Sequence, residues 1–111
     1  MGLLIGDPIV TDSGILEEGQ DLKAGAVLGV VTDTGKYKLT ATKNGDDDVT
    51  DGSQNPYAVL LEDTKATSDK IVPILLMGQI DENEISFGEG WDIDTLKPTL
   101  RKISIFTKKT M

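Results

Sequence analysis

Four aspartates between residues 46 and 51 are the side chains whose type and spacing come nearest to a metal site. A calcium-binding EF-hand loop needs oxygen ligands at alternating positions, a central glycine and a closing bidentate glutamate. Here Asp46, Asp47 and Asp48 are contiguous. Gly45 precedes them instead of lying at the centre, and no glutamate closes the loop after Asp51. The spacing therefore favours a solvated acidic loop over a metal site.

A glycine-rich run and pairs of neighbouring carboxylates are the other patterns that suggest chemistry. Residues 25–29 (Gly-Ala-Val-Leu-Gly) lack the G-x-G-x-x-G spacing and the following helix that cradle a phosphate. These glycines therefore indicate a turn and close strand packing. Glycosidases use two converging carboxyl groups, but adjacent residues of a strand point to opposite faces. Glu17/Glu18 and Glu62/Asp63 are therefore not predicted to converge.

Histidine and cysteine are both absent from the 111 residues. Their absence excludes Ser-His-Asp catalysis, cysteine nucleophiles, thiolate zinc sites and disulfides. We therefore predict that the protein is not an enzyme and that it has no catalytic, cofactor-binding or metal-binding residues.

The net charge of −8 is unevenly distributed along the chain. Residues 1–100 hold all 19 acidic and 7 of the 11 basic side chains, and residues 101–111 hold four bases and no acid. An acidic body repels nucleic acid, so we expect no nucleic-acid partner. The longest apolar run, residues 71–77, is too short to span a membrane and contains Pro73, so we expect no membrane partner either.

The apolar pattern predicts a single domain that is mainly β. Residues 36–42 alternate between polar and apolar types, and a turn at residues 33–35 joins them to a β-branched run, which predicts a hairpin. Pro73 indicates an edge strand or a bulge, because proline cannot donate to a ladder. The strands are predicted at residues 26–32, 36–42, 57–62, 70–77 and 103–107, with a polar loop at residues 43–55.

One short helix, or two single turns, is predicted between Asp92 and Lys102. Asp92 or Asp94 can cap its first turn, and Pro98 is expected to limit its length. Trp91 precedes this stretch and is the single tryptophan of the chain. Its position is compatible with a core residue and with a contact at a subunit interface, where tryptophan is enriched.

A series of short segments follows in a defined order along residues 21–106. The segments are the glycine-marked strand from Asp21 to Gly29, Gly35-Lys36-Tyr37, the polar Asp-Gly loop, Ala58-Val59-Leu60-Leu61, Gly78-Gln79-Ile80, Trp91 and Ile103-Ser104-Ile105. In the order and the lengths of these segments the chain resembles the lambda-type phage head decoration proteins. Two features depart from that family: the N-terminal segment is short and holds apolar triplets, and a basic end follows the last strand.

The resemblance implies a β-clip-like single domain, mainly β with one short helix, that assembles as a homotrimer. It implies a structural virion protein, made in the bacterial host cytoplasm, that binds the outside of an expanded capsid at three-fold positions and stabilises it. Its partners would be the major capsid protein and itself. Residues 1–20 would form an N-terminal arm that orders on the capsid, and residues 21–111 the β domain.

The apolar residues of this arm match the segment that would add a strand to the capsid. The predicted capsid contacts are Leu3, Leu4, Ile5, Pro8, Ile9 and Val10. Two alternatives remain open at this point, a β-domain of a phage tail or baseplate and a non-catalytic ligand-binding β-module.

Overall fold

The computed structural model of the protein describes residues 10–108, which fold into strands, one α-helix and one 3₁₀ turn. The protein is mainly β with one short helix, in one compact domain. In chain order the elements are β1 Val10–Leu16, β2 Asp21–Leu22, β3 Val27–Val30, β4 Tyr37–Leu39, β5 Lys43–Asn44, β6 Asp47–Asp48, β7 Pro56–Leu60, β8 Thr64–Lys65, β9 Lys70–Asp81, the 3₁₀ turn Glu82–Glu84, α1 Ile93–Lys102 and β10 Ile105–Lys108.

Five strands close into a ring in the order β1, β4, β3, β7 and β9, which we call the strand ring. The predicted hairpin is present as β3 and β4, which pair antiparallel around the turn at Gly35. Strand β1 runs antiparallel along β9 and closes the ring on β4 through the parallel pair Leu16–Tyr37. The Glu17 N–H donates to the Tyr37 carbonyl over 2.8 Å and fixes this closure. Strand β10 extends the sheet in parallel with the second half of β9.

The expectation that Pro73 marks an edge strand is wrong, because β9 has β1 on one side and β7 on the other. The Pro73 carbonyl accepts a hydrogen bond from the Leu61 N–H over 3.1 Å. In an antiparallel ladder, two opposite residues of a hydrogen-bonded pair normally exchange two N–H···O bonds. Leu61 and Pro73 form only one of these bonds, because proline has no N–H to donate. The β7–β9 ladder accordingly stops one residue earlier, at Leu60–Ile74. The register shift between β1 and β9 lies at Val10/Thr11, away from the proline.

Two apolar cores lie on opposite faces of the same strands. All five strands of the ring contribute to the inner core, which includes the fully buried Leu28, Leu60 and Ile74. Adjacent strand residues point to opposite faces, so Val59 and Leu75 face outwards into a second core. Helix α1 and β10 cover this outer core with the fully buried Leu96, Leu100 and Ile105. Burial of each large apolar side chain stabilises the fold by about 1.5–3 kcal/mol.

Helix α1 begins where the sequence predicts and continues through Pro98. Asp92 is the N-cap: its carboxylate accepts from the Thr95 N–H over 2.9 Å, and the Thr95 hydroxyl accepts from the Asp92 N–H over 3.3 Å. Pro98 does not end the helix, because Leu96 before it and Leu100 after it are both fully buried in the outer core. Tertiary packing therefore outweighs the backbone hydrogen bond that the proline removes.

The N-terminal part of the described chain belongs to the sheet. Strand β1 begins at Val10, inside the range predicted as an arm, and its last residue, Leu16, is fully buried in the inner core. The first nine residues of the predicted arm lie outside the described residues, and the arm at residues 1–20 stays a prediction.

Candidate functional site

The aspartates of the polar loop lie in two different places. Asp47 and Asp48 form β6, which pairs with β5, and Lys43 bonds the Asp48 carboxylate. Asp51 turns the other way, towards the sheet, where its carboxylate lies 2.7 Å from the Lys38 ammonium. Within residues 10–108 no group of three or more acidic side chains is arranged to hold a metal ion.

The glycines of residues 25–29 lie against backbone of other segments. Gly25 has a φ of +99°, and a Cβ placed on it would lie 1.9 Å from the Glu84 carbonyl oxygen. A Cβ on Gly29 would lie 2.1 Å from the Ser53 carbonyl oxygen. Both positions need glycine for close approach of two backbones, which confirms the interpretation from the sequence.

An exposed apolar pair lies on the outer face of the β1–β9 ribbon. Ile15 and Ile71 are directly opposite each other in the register, and their exposed fractions are 43% and 71%. The neighbouring pair, Gly14 and Val72, faces the inner core instead. Cross-strand neighbours on one face contact each other, so the two isoleucines present a joint apolar surface to solvent.

The predicted capsid contacts fall almost entirely before the described residues. Val10 is described: it opens β1 opposite Met77 and is 40% exposed. The others, Leu3, Leu4, Ile5, Pro8 and Ile9, lie outside the described residues. Their contact with the capsid therefore stays a prediction.

Trp91 is half-buried and packs against the outer core. Its indole Nε1 is buried and finds no hydrogen-bond partner among residues 10–108. A buried N–H without an acceptor costs about 1–3 kcal/mol. Through its packing the Trp91 side chain contributes to the outer core. Its role at a subunit interface stays a prediction.

A groove of about 850 Å³ between α1 and β10 was not predicted from the sequence. The spacing of its helical residues is that of one continuous helix face. This spacing indicates one helix face only if the helix continues past Pro98, whereas the sequence predicts that Pro98 limits the helix. The groove is lined by Asp94, Lys97, Pro98, Arg101 and Lys102 of α1 and by Ile105, Phe106 and Thr107 of the β10 segment.

A comparison with protein families identifies the chain. The model of the family described as bacteriophage lambda head decoration protein D matches residues 3–102. The chain belongs to this family. The match spans the strand ring, the polar loop and all of α1, so it covers more of the chain than the resemblance found in the sequence. A comparison with curated proteins gives no match.

Membership of the head decoration family implies a structural protein of the phage capsid. The family is one of capsid decoration proteins. No helix within residues 10–108 is long and apolar enough to cross a membrane.

Proposed function

We propose that this decoration protein is a β-clip-like domain that assembles as a homotrimer and binds the outer surface of an expanded phage capsid at its three-fold positions. There it stabilises the shell against the pressure of packaged DNA, after synthesis in the host cytoplasm, with the major capsid protein as its partner. The observation that carries the proposal is the family match over residues 3–102. The structure supports it with exposed apolar surface on the domain, at Ile15 and Ile71.

The capsid contact is assigned to residues 3–10, by the addition of a strand to the capsid protein. Strand β1, which begins at Val10, pairs with β9 along one edge. Its other edge pairs with β4 only at Leu16 among the described pairings. The edge of β1 that does not face β9 is therefore open from Val10 towards Leu16. Apolar side chains before β1, such as Leu4 and Ile5, would add about 25 cal/mol for each Å² that they bury.

In a trimer, a weak contact from each arm is sufficient for tight binding to the capsid. Three arms on one trimer bind three neighbouring capsid subunits, and once the first is bound the others bind at a high effective concentration. Loss of the arm from every subunit should therefore lower capsid binding far more than the loss of one contact would.

The test removes residues 1–9, which leaves β1 complete. Expanded capsids that lack a decoration protein are mixed with the full chain or with the shortened chain and are then sedimented. We expect saturable co-sedimentation of the full chain and a loss of binding of roughly a hundredfold or more for the shortened chain, because three arms are lost at once. Sedimentation equilibrium of both chains should give the mass of a trimer.

A variant of full length serves as the matched control for chain length. Leu4→Asp together with Ile5→Asp keeps the arm but removes its apolar surface, and it should bind as poorly as the shortened chain. The unfolding transition, followed by the fluorescence of the single Trp91, should be the same in all three proteins. If the shortened chain binds capsids as tightly as the full chain, the arm does not make the contact.

A further inference from the structure

The first half of the polar loop forms a projecting hairpin, residues 43–48, which we call the acidic hairpin. Strands β5 and β6 are two residues each and pair antiparallel, and every residue of the hairpin is exposed. Gly45, at the first position of its two-residue turn, has a φ of +66°, which glycine adopts without strain. The turn is held against the chain, because the Gly45 N–H donates to the Glu89 carboxylate over 3.1 Å. At the base of the hairpin, the Lys43 N–H donates to the Glu89 carbonyl over 3.2 Å.

Two of the three aspartates of the acidic hairpin keep an uncompensated charge. Asp48 is bonded to Lys43. Asp46 and Asp47 form no salt bridge with any described residue. The Glu89 carboxylate beside the turn adds a further negative charge nearby. The hairpin therefore presents an acidic tip to whatever lies beside it.

The groove between α1 and β10 has the opposite character, and we call it the basic groove. Lys97 is already paired with Glu82, 2.8 Å away. Arg101 and Lys102 are exposed and form no salt bridge within residues 10–108. Phe106, which lines the same groove, is 42% exposed. The lining also includes one acidic residue, so the two unpaired cations leave the groove with an excess of positive charge.

The acidic hairpin does not reach the basic groove of its own chain. Its base packs at Gly90, just before α1, where a Cβ would lie 1.8 Å from the Thr42 hydroxyl. Arg101 and Lys102 lie in the last turn of α1. A helix of ten residues is about 15 Å long, whereas two strand residues extend about 7 Å. Within one chain the hairpin is therefore too short to reach Arg101 and Lys102, whereas a second copy of the chain can bring the two surfaces together.

We propose that the acidic hairpin of one protomer docks in the basic groove of the next, and that this contact closes the trimer. The inference rests on the proposed trimeric assembly and assigns its interface. The contacting patches differ, so the interface is heterologous, and repetition of such an interface around a three-fold axis gives a closed ring. Asp46 and Asp47 would face Arg101 and Lys102, and a volume of about 850 Å³ is in the range that encloses a small ligand or a short turn.

The pairing explains why a small hairpin without a core is present in the fold. An exposed ion pair is weak by itself, but a ring of three subunits repeats the same contact three times. The turn would also cover the exposed face of Phe106. The second copy of this chain is the occupant that both the charge and the shape favour.

Charge reversal on each side, and on both sides together, tests the pairing. Asp46→Lys with Asp47→Lys puts cations opposite cations, and Arg101→Glu with Lys102→Glu puts acids opposite acids. Sedimentation equilibrium should show the concentration of half-dissociation raised by roughly tenfold or more in each double variant, because like charges then face each other. The quadruple variant restores opposite charges and should return to within about threefold of the unaltered chain.

A charge-matched control separates the contact from the change in net charge. Asp33→Lys with Glu62→Lys alters two exposed acids outside the hairpin by the same amount, and its trimer should be as stable as that of the unaltered chain. Trp91 fluorescence and circular dichroism check that each variant is folded. The substitutions Arg101→Glu and Lys102→Glu can also weaken the last turn of α1. In that case the double variant Arg101→Gln with Lys102→Gln is used instead, and it should still weaken the trimer.

The outcomes distinguish the inference from the function on which it rests. A trimer that is equally stable in the unaltered chain and in both double variants would overturn the interface and leave the proposed function intact. Two weakened double variants whose quadruple combination stays weak would also overturn the pairing. A chain that is monomeric at every concentration would contradict the trimer itself, and the interface with it. Loss of capsid binding with an intact trimer in the Asp46/Asp47 variant would make the hairpin a capsid contact instead.

Discussion

The two halves of the polar loop, residues 43–55, are alike in composition and opposite in structure. The first half is the acidic hairpin, exposed throughout, and backbone N–H groups of its turn and its base both bond to Glu89. The second half, residues 49–55, packs onto the strand ring, and Ser53 within it is fully buried. Both halves carry acidic side chains and one glycine in the left-handed region, Gly45 and Gly52.

Hydrogen bonds to the ring account for the order of the second half. The Asp51 carbonyl accepts from the Thr32 N–H over 2.8 Å, and the Ser53 carbonyl accepts from the Thr40 hydroxyl over 2.7 Å. The Asp51 carboxylate accepts from both the N–H and the hydroxyl of Ser53 and pairs with Lys38. A fully buried polar residue is tolerated here because its polar atoms are bonded.

The difference between the two halves shows which acidic side chains of the loop stabilise the fold. Asp51 is engaged by Lys38 and Ser53, so it holds the loop on the sheet. Asp46 and Asp47 contribute no described ion pair, so their charge is available to a partner.

The largest contrast is expected between Gly52→Ala and Gly45→Ala. A Cβ on Gly52, at a φ of +104°, would lie 2.2 Å from the Thr32 hydroxyl oxygen and 2.7 Å from the Val30 carbonyl. Strain and overpacking together should lower the free energy of unfolding by about 2–4 kcal/mol. A Cβ on Gly45 meets nothing within 4 Å, so backbone strain alone should cost about 1–2 kcal/mol. Denaturant unfolding followed by Trp91 fluorescence measures both.

Equal losses in the two glycine variants would show that the second half of the loop is no more tightly packed than the hairpin. The backbone conformation is left-handed at both positions, so the difference between them isolates the packing contribution.

The next contrast is between Asp51→Ala and Asp47→Ala. Removal of the Asp51 carboxylate leaves the buried Ser53 without its acceptor and Lys38 without its partner, which should cost about 1–3 kcal/mol. Asp47→Ala alters an exposed side chain and should change the free energy of unfolding by less than about 0.5 kcal/mol. Chemical denaturation at neutral pH compares them, and a large loss for Asp47→Ala would refute the division of the loop.

Much of the fold could be predicted from local patterns. The β3–β4 hairpin follows from polar and apolar alternation around Gly35, and the helix start follows from the carboxylate of Asp92. The closure of the strand ring could not be predicted, because it depends on pairs distant in sequence, such as Leu16 with Lys70. The continuation of α1 through Pro98 depends on tertiary burial, which local propensity does not contain.

The candidate interfaces were less predictable than the fold. The sequence distinguishes the basic end of the chain from its acidic body, but it does not show which charges find partners. Lys43 bonds Asp48 and Lys38 bonds Asp51, and only these pairings reveal that Asp46 and Asp47 are left over. The basic groove likewise requires that α1 and β10 lie side by side, a contact between segments separated by the left-handed Ser104.

The smallest expected effect is a pH dependence confined to the anchored half of the loop. Hydrogen bonds from Lys38 and Ser53 lower the pKa of Asp51 from its ordinary 3.8 to about 2. A depressed pKa stabilises the fold above the unfolded-state value, and this contribution is lost as the pH falls from about 4 to about 2. The side chain is 36% exposed, so screening should limit the contribution to less than about 1 kcal/mol.

Asp51→Asn measures this contribution, since it removes the charge and keeps the shape. The difference in free energy of unfolding between the unaltered chain and this variant should be largest above about pH 4 and should shrink towards about pH 2. The same substitution in a Lys38→Met background should give a smaller pH-dependent difference, because the ammonium is the main cause of the lowered pKa. A difference that stays constant from pH 6 to about pH 2 would mean that Asp51 anchors the loop through its hydrogen bonds to Ser53, whatever its charge.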